Sequence, residues 1–274
     1  MAFGIYRFYR LLQPRFREKR IRFFLDLFQP NDATTILDVG GNVYDWHGVV
    51  PISYKITILN IASTDSLSEY PTRFTYISGD GRNLPFQDQS FDIIYSNSVI
   101  EHLRTQEDQK RFAQEALRVG RNIFVQTPNR WFPVEPHFVT LFFHYLPKRS
   151  QRLFLPRLSL RGLFRSGDNV ELAQLFDELR LLSFREMKRL FPSCLIHRER
   201  LFGFAKSLIA IRTTSPNLQR MERTGARVSR SILELGSSRG ASFPSGVEPA
   251  RRIIRTQNCG ESGQRMKSAP LNPR

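Results

Sequence analysis

The chain has 274 residues, 41% hydrophobic and 12% aromatic, with 23 phenylalanines and a net charge of +16 at pH 7. That length holds one sizeable core or two small ones. Two cysteines, Cys194 and Cys259, build no disulfide framework, and there is no run of about 18 apolar residues to span a membrane. The basic excess favours anionic partners, whether nucleic acid, lipid headgroups or phosphorylated substrates, and is silent about fold.

In the first thirty residues arginine alternates with Phe, Leu and Ile, a pattern unlike a secretory leader. Residues 5–28 carry helical periodicity instead: Phe16, Ile21, Phe24, Leu25 and Phe28 recur on one side, among Arg15, Arg17, Lys19, Arg20 and Arg22. Pro30 stops the pattern. The spacing predicts a basic amphipathic segment over 1–29, packed on the domain or presented to a membrane or another anionic surface.

Thr34-Thr35-Ile36-Leu37-Asp38-Val39-Gly40-Gly41-Asn42 reads as a short buried strand that turns sharply at a carboxylate and two glycines. Glycine permits positive φ and close approach of a ligand. A helix starting near Val43 would aim its free N–H groups into the same crevice. Ligands of open α/β sheets bind outside the carboxyl ends of such strands, so this turn is the expected cofactor site.

Further strands are expected at Lys55–Ile61, at Arg73–Ile77 running into Ser78-Gly79-Asp80-Gly81, at Ser90–Asn97, and at Arg121–Thr127, halted by Pro128. A helix is expected over Gln106–Val119, closed by Gly120. Ser183-Phe184-Arg185-Glu186 is a capping box opening a helix to Leu190 or Phe191. Strands at Ser193–Glu199 and Lys206–Arg212 follow with no helix between them. The alternation predicts an α/β, Rossmann-like, doubly wound sheet of seven mostly parallel strands, the last antiparallel, in one domain over 30–213.

After the fifth strand, residues 129–169 carry Trp131, Phe132, Phe138, Phe142, Phe143 and Tyr145, then Lys148, Arg149, Arg152, Arg157, Arg161 and Arg165. No acidic residue occurs between Glu135 and Asp168. At the ligand edge of the sheet, this insertion is expected to be a substrate lid or a helical hairpin with solvated arginines. Residues 214–274 are rich in Gly, Ser, Pro and Arg, with 11 basic residues against 4 acidic. They offer too little apolar surface to offset the cost of ordering and are expected to be a disordered basic tail.

The segments ILDVGGN (36–42), TILNI (57–61), GDGRNLPFQDQSFDIIYSNSVIEHL (79–103) and QTPNRWFPVEPHF (126–138) together resemble class I S-adenosylmethionine-dependent methyltransferases of the type 11 group, over about residues 30–213. The third is the most specific, because a loop carboxylate, a Leu-Pro-Phe turn, a Ser-Phe-Asp strand start and a Glu-His-Leu helix recur together in that family. The resemblance implies that Gly40 and Gly41 lie against the methionine end of the cofactor, with Asp38 near its ammonium group. Asn60, followed by Ile61, stands where the family usually has an acidic residue gripping the ribose hydroxyls, so the grip should lack charge assistance. Asp80 matches the adenine-edge residue, with Gly81 and Arg82 flanking the ring, and Asn97 faces the methyl-donor crevice. Asn42 replaces the commoner second glycine.

His102, beside the cofactor by the same resemblance, is a candidate general base. So are Glu135 and His137, in a loop stiffened by two prolines. No histidine shows metal-ligand spacing, and no metal is expected. The implied activity is methyl transfer from S-adenosylmethionine to a small, lipid-linked or glycan acceptor of amphipathic or anionic character, in the cytoplasm or peripheral to an anionic membrane. A nucleic-acid methyltransferase is the first alternative, prompted by the net charge, although Ser96-Asn97-Ser98-Val99 is unlike the Asn-Pro-Pro-Tyr motif of such enzymes. A non-catalytic binding protein is the second, prompted by Asn42 and Asn60. A nicotinamide dehydrogenase is disfavoured, since Asn42 and Asp45 occupy the later glycine positions of its fingerprint.

Overall fold

The computed structural model describes residues 16–46, 54–61, 74–135, 140–141, 145, 150, 178–215 and 217–218. The chain divides into two units, 1–240 and 241–274, and every described residue belongs to the first.

Residues 16–28 form helix α1. Ile21, Phe24 and Leu27, spaced at three, are fully buried, and the helix ends where Gln29 takes φ +46° ahead of Pro30. Strand β1 (Ile36–Val39) is buried along its whole length and leads through the glycine turn into the short helix α2 (Val43–Trp46). Strands β2 (Ile56–Asn60), β3 (Phe74–Ser78) and β4 (Phe91–Asn97) follow, the last leading into a 3₁₀ turn at Ile100–His102. Helix α3 (Gln106–Val119) is capped by Thr105, whose side chain accepts from the Asp108 amide, and strand β5 (Gly120–Pro128) leaves it directly.

Beyond β5, Val134–Glu135 (β6) and Thr140–Leu141 (β7) pair as a two-stranded antiparallel ladder inside the insertion. Helix α4 (Phe184–Leu190) opens with the capping box, Ser183 and Glu186 bonding reciprocally. Strands β8 (Leu195–Leu201) and β9 (Phe204–Arg212) close the domain as a hairpin.

The main sheet has the order β3-β2-β1-β4-β5-β9-β8. Its first five strands are mutually parallel, and β9 runs antiparallel to both neighbours. This is the expected α/β sheet of seven strands with the last reversed. The hairpin strands reach further toward their turn than expected: β8 continues to Leu201 instead of Glu199, and β9 starts at Phe204 rather than Lys206. Two-residue turns of this kind are usually marked by Asn-Gly or Asp-Gly. Here Phe202-Gly203 fills the turn, so the sequence carried no turn signal.

The sheet is covered on both faces, which is why its central strands are apolar throughout. On one face α3 and α4 bury Phe112, Ala113, Ala116, Val119 and Met187 against Leu37, Val39, Ile94, Ile123 and Leu208. On the other, α1 buries Ile21, Phe24 and Leu27 against Ile36, Ile93, Tyr95, Phe124 and Ile209. Phe24 makes edge contacts with Tyr95, Phe124 and Trp46 at 5.3, 5.6 and 5.7 Å between ring centroids. The first helix is therefore one wall of the core. Leu218 packs against the same cluster, and Asn217 Nδ2 donates to the Asp26 carbonyl at 3.2 Å. Of the stretch 214–274, where a disordered tail was expected, Asn217 and Leu218 thus pack on the domain, and residues 216 and 219–274 lie outside the described residues.

Candidate cofactor and acceptor site

The chain leaves β1 toward β2 and β3 on one side and reaches β4 and β5 on the other, so the strand order reverses between β1 and β4. A crevice opens at the carboxyl ends of the strands at such a reversal. Its floor is the turn after β1. Gly40 has φ +77°, and a Cβ on it would lie 2.6 Å from the Val99 side chain. A Cβ on Gly41 would lie 1.7 Å from Asp38 Oδ2. Neither position accepts a side chain. Asp38 is almost fully buried beneath this turn, and its Oδ2 accepts from Trp46 Nε1 at 2.7 Å. The carboxylate thus ties the glycine turn to the buried indole of α2.

At the end of β2, Asn60 spends an amide hydrogen on the Gly41 carbonyl, Nδ2 to O 3.1 Å. It fastens the glycine turn from the second strand. Ile61, next in the chain, is 68% exposed. Gly81 lies so close to Val39 and Phe112 that a Cβ would come within 2.8 and 3.0 Å of them. Asp80 is held by Arg82, whose Nη2 lies 2.6 Å from its Oδ2, and Arg82 reaches on to Asp108 at 2.9 Å. Burial pushes the Asp80 carboxyl up, but the hydrogen bonds and charge of Arg82 outweigh it and leave Asp80 below its ordinary value. A carboxylate offers about four acceptor positions. The structure therefore places Asp80 as an ionised acceptor braced from α3.

The β4–β5 side of the same edge is polar and buried. Asn97 Oδ1 accepts from Arg20 Nη1 at 2.9 Å, and Gln126 Oε1 from the same nitrogen at 3.3 Å. Arg20 also donates to Glu199 at 3.0 and 3.2 Å and to Ser207 at 3.3 Å. Ser98, at φ +57°, donates its hydroxyl to Gln126 Oε1 at 3.0 Å. Lys206 Nζ stands 3.8 Å from Glu199 and 3.2 Å from the centroid of the Phe16 ring. Burial, opposed by Glu199 and reinforced by Arg20 and Lys19, pulls Lys206 down to about 7. Burial would raise Glu199, but Arg20 and Lys206 together hold it at about 2.

Asp38, Gly40, Gly41, Asn60 and Ile61 are thus gathered by β1 and β2, Asp80 and Gly81 follow β3, and Asn97 ends β4. Asn97 turns its amide oxygen to Arg20 of α1, a contact 77 residues distant that the sequence did not suggest. His102 closes the 3₁₀ turn after β4, half-buried, next to Glu101, whose Oε2 accepts from Thr127 at 3.0 Å. Glu135 is placed by its backbone alone, paired with Thr140, and His137 lies outside the described residues. Sequence reasoning missed Arg20, Lys206 and Glu199. Arg20 looked like one solvated cation among five, and nothing local marks it as buried.

Residues 47–122 match the family described as "Methyltransferase domain". That stretch is similar to the family that the sequence resemblance named. The match begins after the glycine turn and covers β2 to the start of β5. No curated protein sequence matches the chain. Among solved structures it is similar to the PH0226 protein from Pyrococcus horikoshii, at 13% identity, over 71% of this chain and 87% of that one, with TM-score 0.45. It is similar to a SAM-dependent methyltransferase from Methanosarcina mazei at 15% identity, over 66% and 92%, TM-score 0.42. It is also similar to the cyclase SpnF at 19% identity, TM-score 0.37, and there spans 42% of this chain and only 46% of that chain's length. At these identities and TM-scores none of the likenesses bears on what this chain does.

Proposed function

We propose that the protein is an S-adenosylmethionine-dependent methyltransferase acting on an amphipathic acceptor. The observation that carries the reading is the glycine turn at the strand-order reversal, where Gly40 and Gly41 leave no room for a side chain and Asn60 fastens the turn from β2. The methyltransferase-domain match over 47–122 supports the same reaction. When bound, the cofactor supplies an electrophilic methyl carbon on a sulfonium; the acceptor's lone pair forms the new bond and the carbon–sulfur electron pair returns to sulfur.

What this chain contributes is placement. Gly40 and Gly41 admit the amino-acid end without a Cβ clash, while Asp80 accepts a hydrogen bond from an exocyclic amine. Asn60 accepts from a ribose hydroxyl through its amide oxygen, while one of its two amide hydrogens is engaged with Gly41. Alignment of nucleophile and methyl carbon accounts for much of the rate effect in such a step. An acceptor that must lose a proton gives it to His102 or to bulk water.

A test uses the cofactor with a radiolabelled methyl group, the full-length protein, and separate pools of organic-extractable lipid and total RNA. Label entering the lipid pool supports the reading. Label confined to RNA would replace it with the nucleic-acid alternative that the +16 charge suggests.

A further inference from the structure

Five large hydrophobic residues are exposed among the described residues: Ile61, Trp131, Tyr145, Phe202 and Phe204. All five stand beyond one edge of the sheet, the edge that holds the candidate site. Ile61 follows β2 on the cofactor half. The other four belong to the acceptor half. Trp131 follows β5, and Tyr145 donates its hydroxyl to the Trp131 carbonyl at 2.8 Å. Strand β9 is antiparallel and pairs Ser207 with Pro128, so its first residues and the hairpin turn project past the end of β5. Asn129 bonds the Ala205 and Lys206 carbonyls, which sets the start of the insertion beside that hairpin.

The hairpin tip is strained as well as exposed. Phe202 is 86% exposed and takes φ +49°, with Gly203 at φ +84°. A bulky residue in the left-handed region is an outlier, and exposure returns nothing to the fold for holding it there. Such a residue points to a use outside the folded chain. A cation stands beside each aromatic group: Arg200 donates to the Gly203 carbonyl at 2.9 Å in the hairpin turn, and Arg130 lies 5.7 Å from the Trp131 ring centroid. Neither forms an ion pair with a described residue, and no acidic residue occurs in 129–133 or 200–205.

We infer that Phe202, Phe204 and Trp131, with Arg130 and Arg200, dock this edge onto an anionic lipid bilayer, so that the methyl acceptor is a lipid-embedded molecule. Aromatic rings beside arginine suit the headgroup boundary, where apolar bodies sink and cationic ends stay wet. The aromatics come from two separate segments at one sheet edge, the β8–β9 hairpin and the stretch after β5, and a bilayer surface is broad enough to take up both. Nucleic-acid stacking platforms line a groove or sheet face instead. Two copies of the chain, each at +16, would bring like charges together on this edge. The substrate class deepens the methyltransferase reading and rests on it.

The test is co-sedimentation of the full-length protein with vesicles of phosphatidylcholine alone and of phosphatidylcholine mixed with phosphatidylglycerol. The parent is compared with Phe202→Asn and Trp131→Ser, and cofactor binding is titrated in all three. The parent should bind the anionic vesicles, and each variant should bind them about tenfold more weakly while binding cofactor as the parent does. Phe202→Asn relieves the turn, so a folding defect cannot explain its loss. Equal vesicle binding by parent and variants would overturn the inference, leaving the basic tail as the anchor. Absence of parent binding overturns it too, as does a loss confined to self-association or to oligonucleotide binding. Vesicle binding without cofactor binding would retain the docking surface and sink the methyltransferase reading instead.

Discussion

Gly41 and Asp38 form the tightest contact in the site, and single-residue changes there read out the turn directly. Gly41→Ala places a methyl group where the Asp38 carboxylate now sits. The turn must open, at a cost of about 2 kcal/mol in a urea unfolding experiment, and cofactor affinity falls with it. Phe202→Asn should go the other way, raising stability by about 1 kcal/mol, because asparagine tolerates the left-handed region. Unchanged stability in both variants would show that neither backbone is constrained as described. Lys206 gives a pH-dependent reading. The folded protein holds it at about 7, against an ordinary 10.5, so between those values the unfolded chain binds the extra proton. Stability therefore rises with pH across that interval, and the destabilising contribution is fully present below pH 7. Lys206→Met should be more stable than the parent at pH 6, and the difference should shrink toward pH 10. A parent–variant difference that is flat with pH would mean that Lys206 is solvated.

Helix α1 is the element whose role is least like its appearance in sequence. Its apolar stripe was legible: Ile21, Phe24 and Phe28 recur at helical spacing, and the first two are fully buried. Its charge was not. Arg20 stands in a run of cations in the sequence, but it is buried and its partners Asn97, Gln126, Glu199 and Ser207 are 77 to 187 residues away. Periodicity reports which face of a helix is apolar and cannot report a buried ion pair formed across the chain. Arg20→Ala would leave Glu199 without its principal counter-charge, and removing one partner of a buried pair costs about 3–5 kcal/mol. The expected signature is early proteolytic cleavage near α1 together with that loss in chemical denaturation. The strands tell the opposite story. Runs such as Ile36–Val39 and Ile56–Asn60 are buried on both faces, so apolar, β-branched density alone located them within a residue or two. The Phe202-Gly203 turn escaped because its conformation contradicts the residue that occupies it.

At the scale of the whole molecule, the sheet order gathers residues from positions 38 to 207 along one edge, with the glycine-turn half on β1–β3 and the polar, basic-lined half on β4, β5 and β9. The residues that the methyltransferase resemblance names, Asp38, Gly40, Gly41, Asn60 and Asp80, lie at the ends of β1, β2 and β3. The second half, with Arg20 and Lys206, arises only from tertiary contacts. The most direct test of the account is calorimetric titration of the full-length protein with S-adenosylmethionine and with S-adenosylhomocysteine, alongside Gly41→Ala and Asp80→Ala. The account predicts micromolar or tighter binding of both ligands by the parent and clear weakening in both variants. A folded parent that binds neither ligand would contradict it, and a scaffold that keeps the methyltransferase fold without its cofactor would take its place.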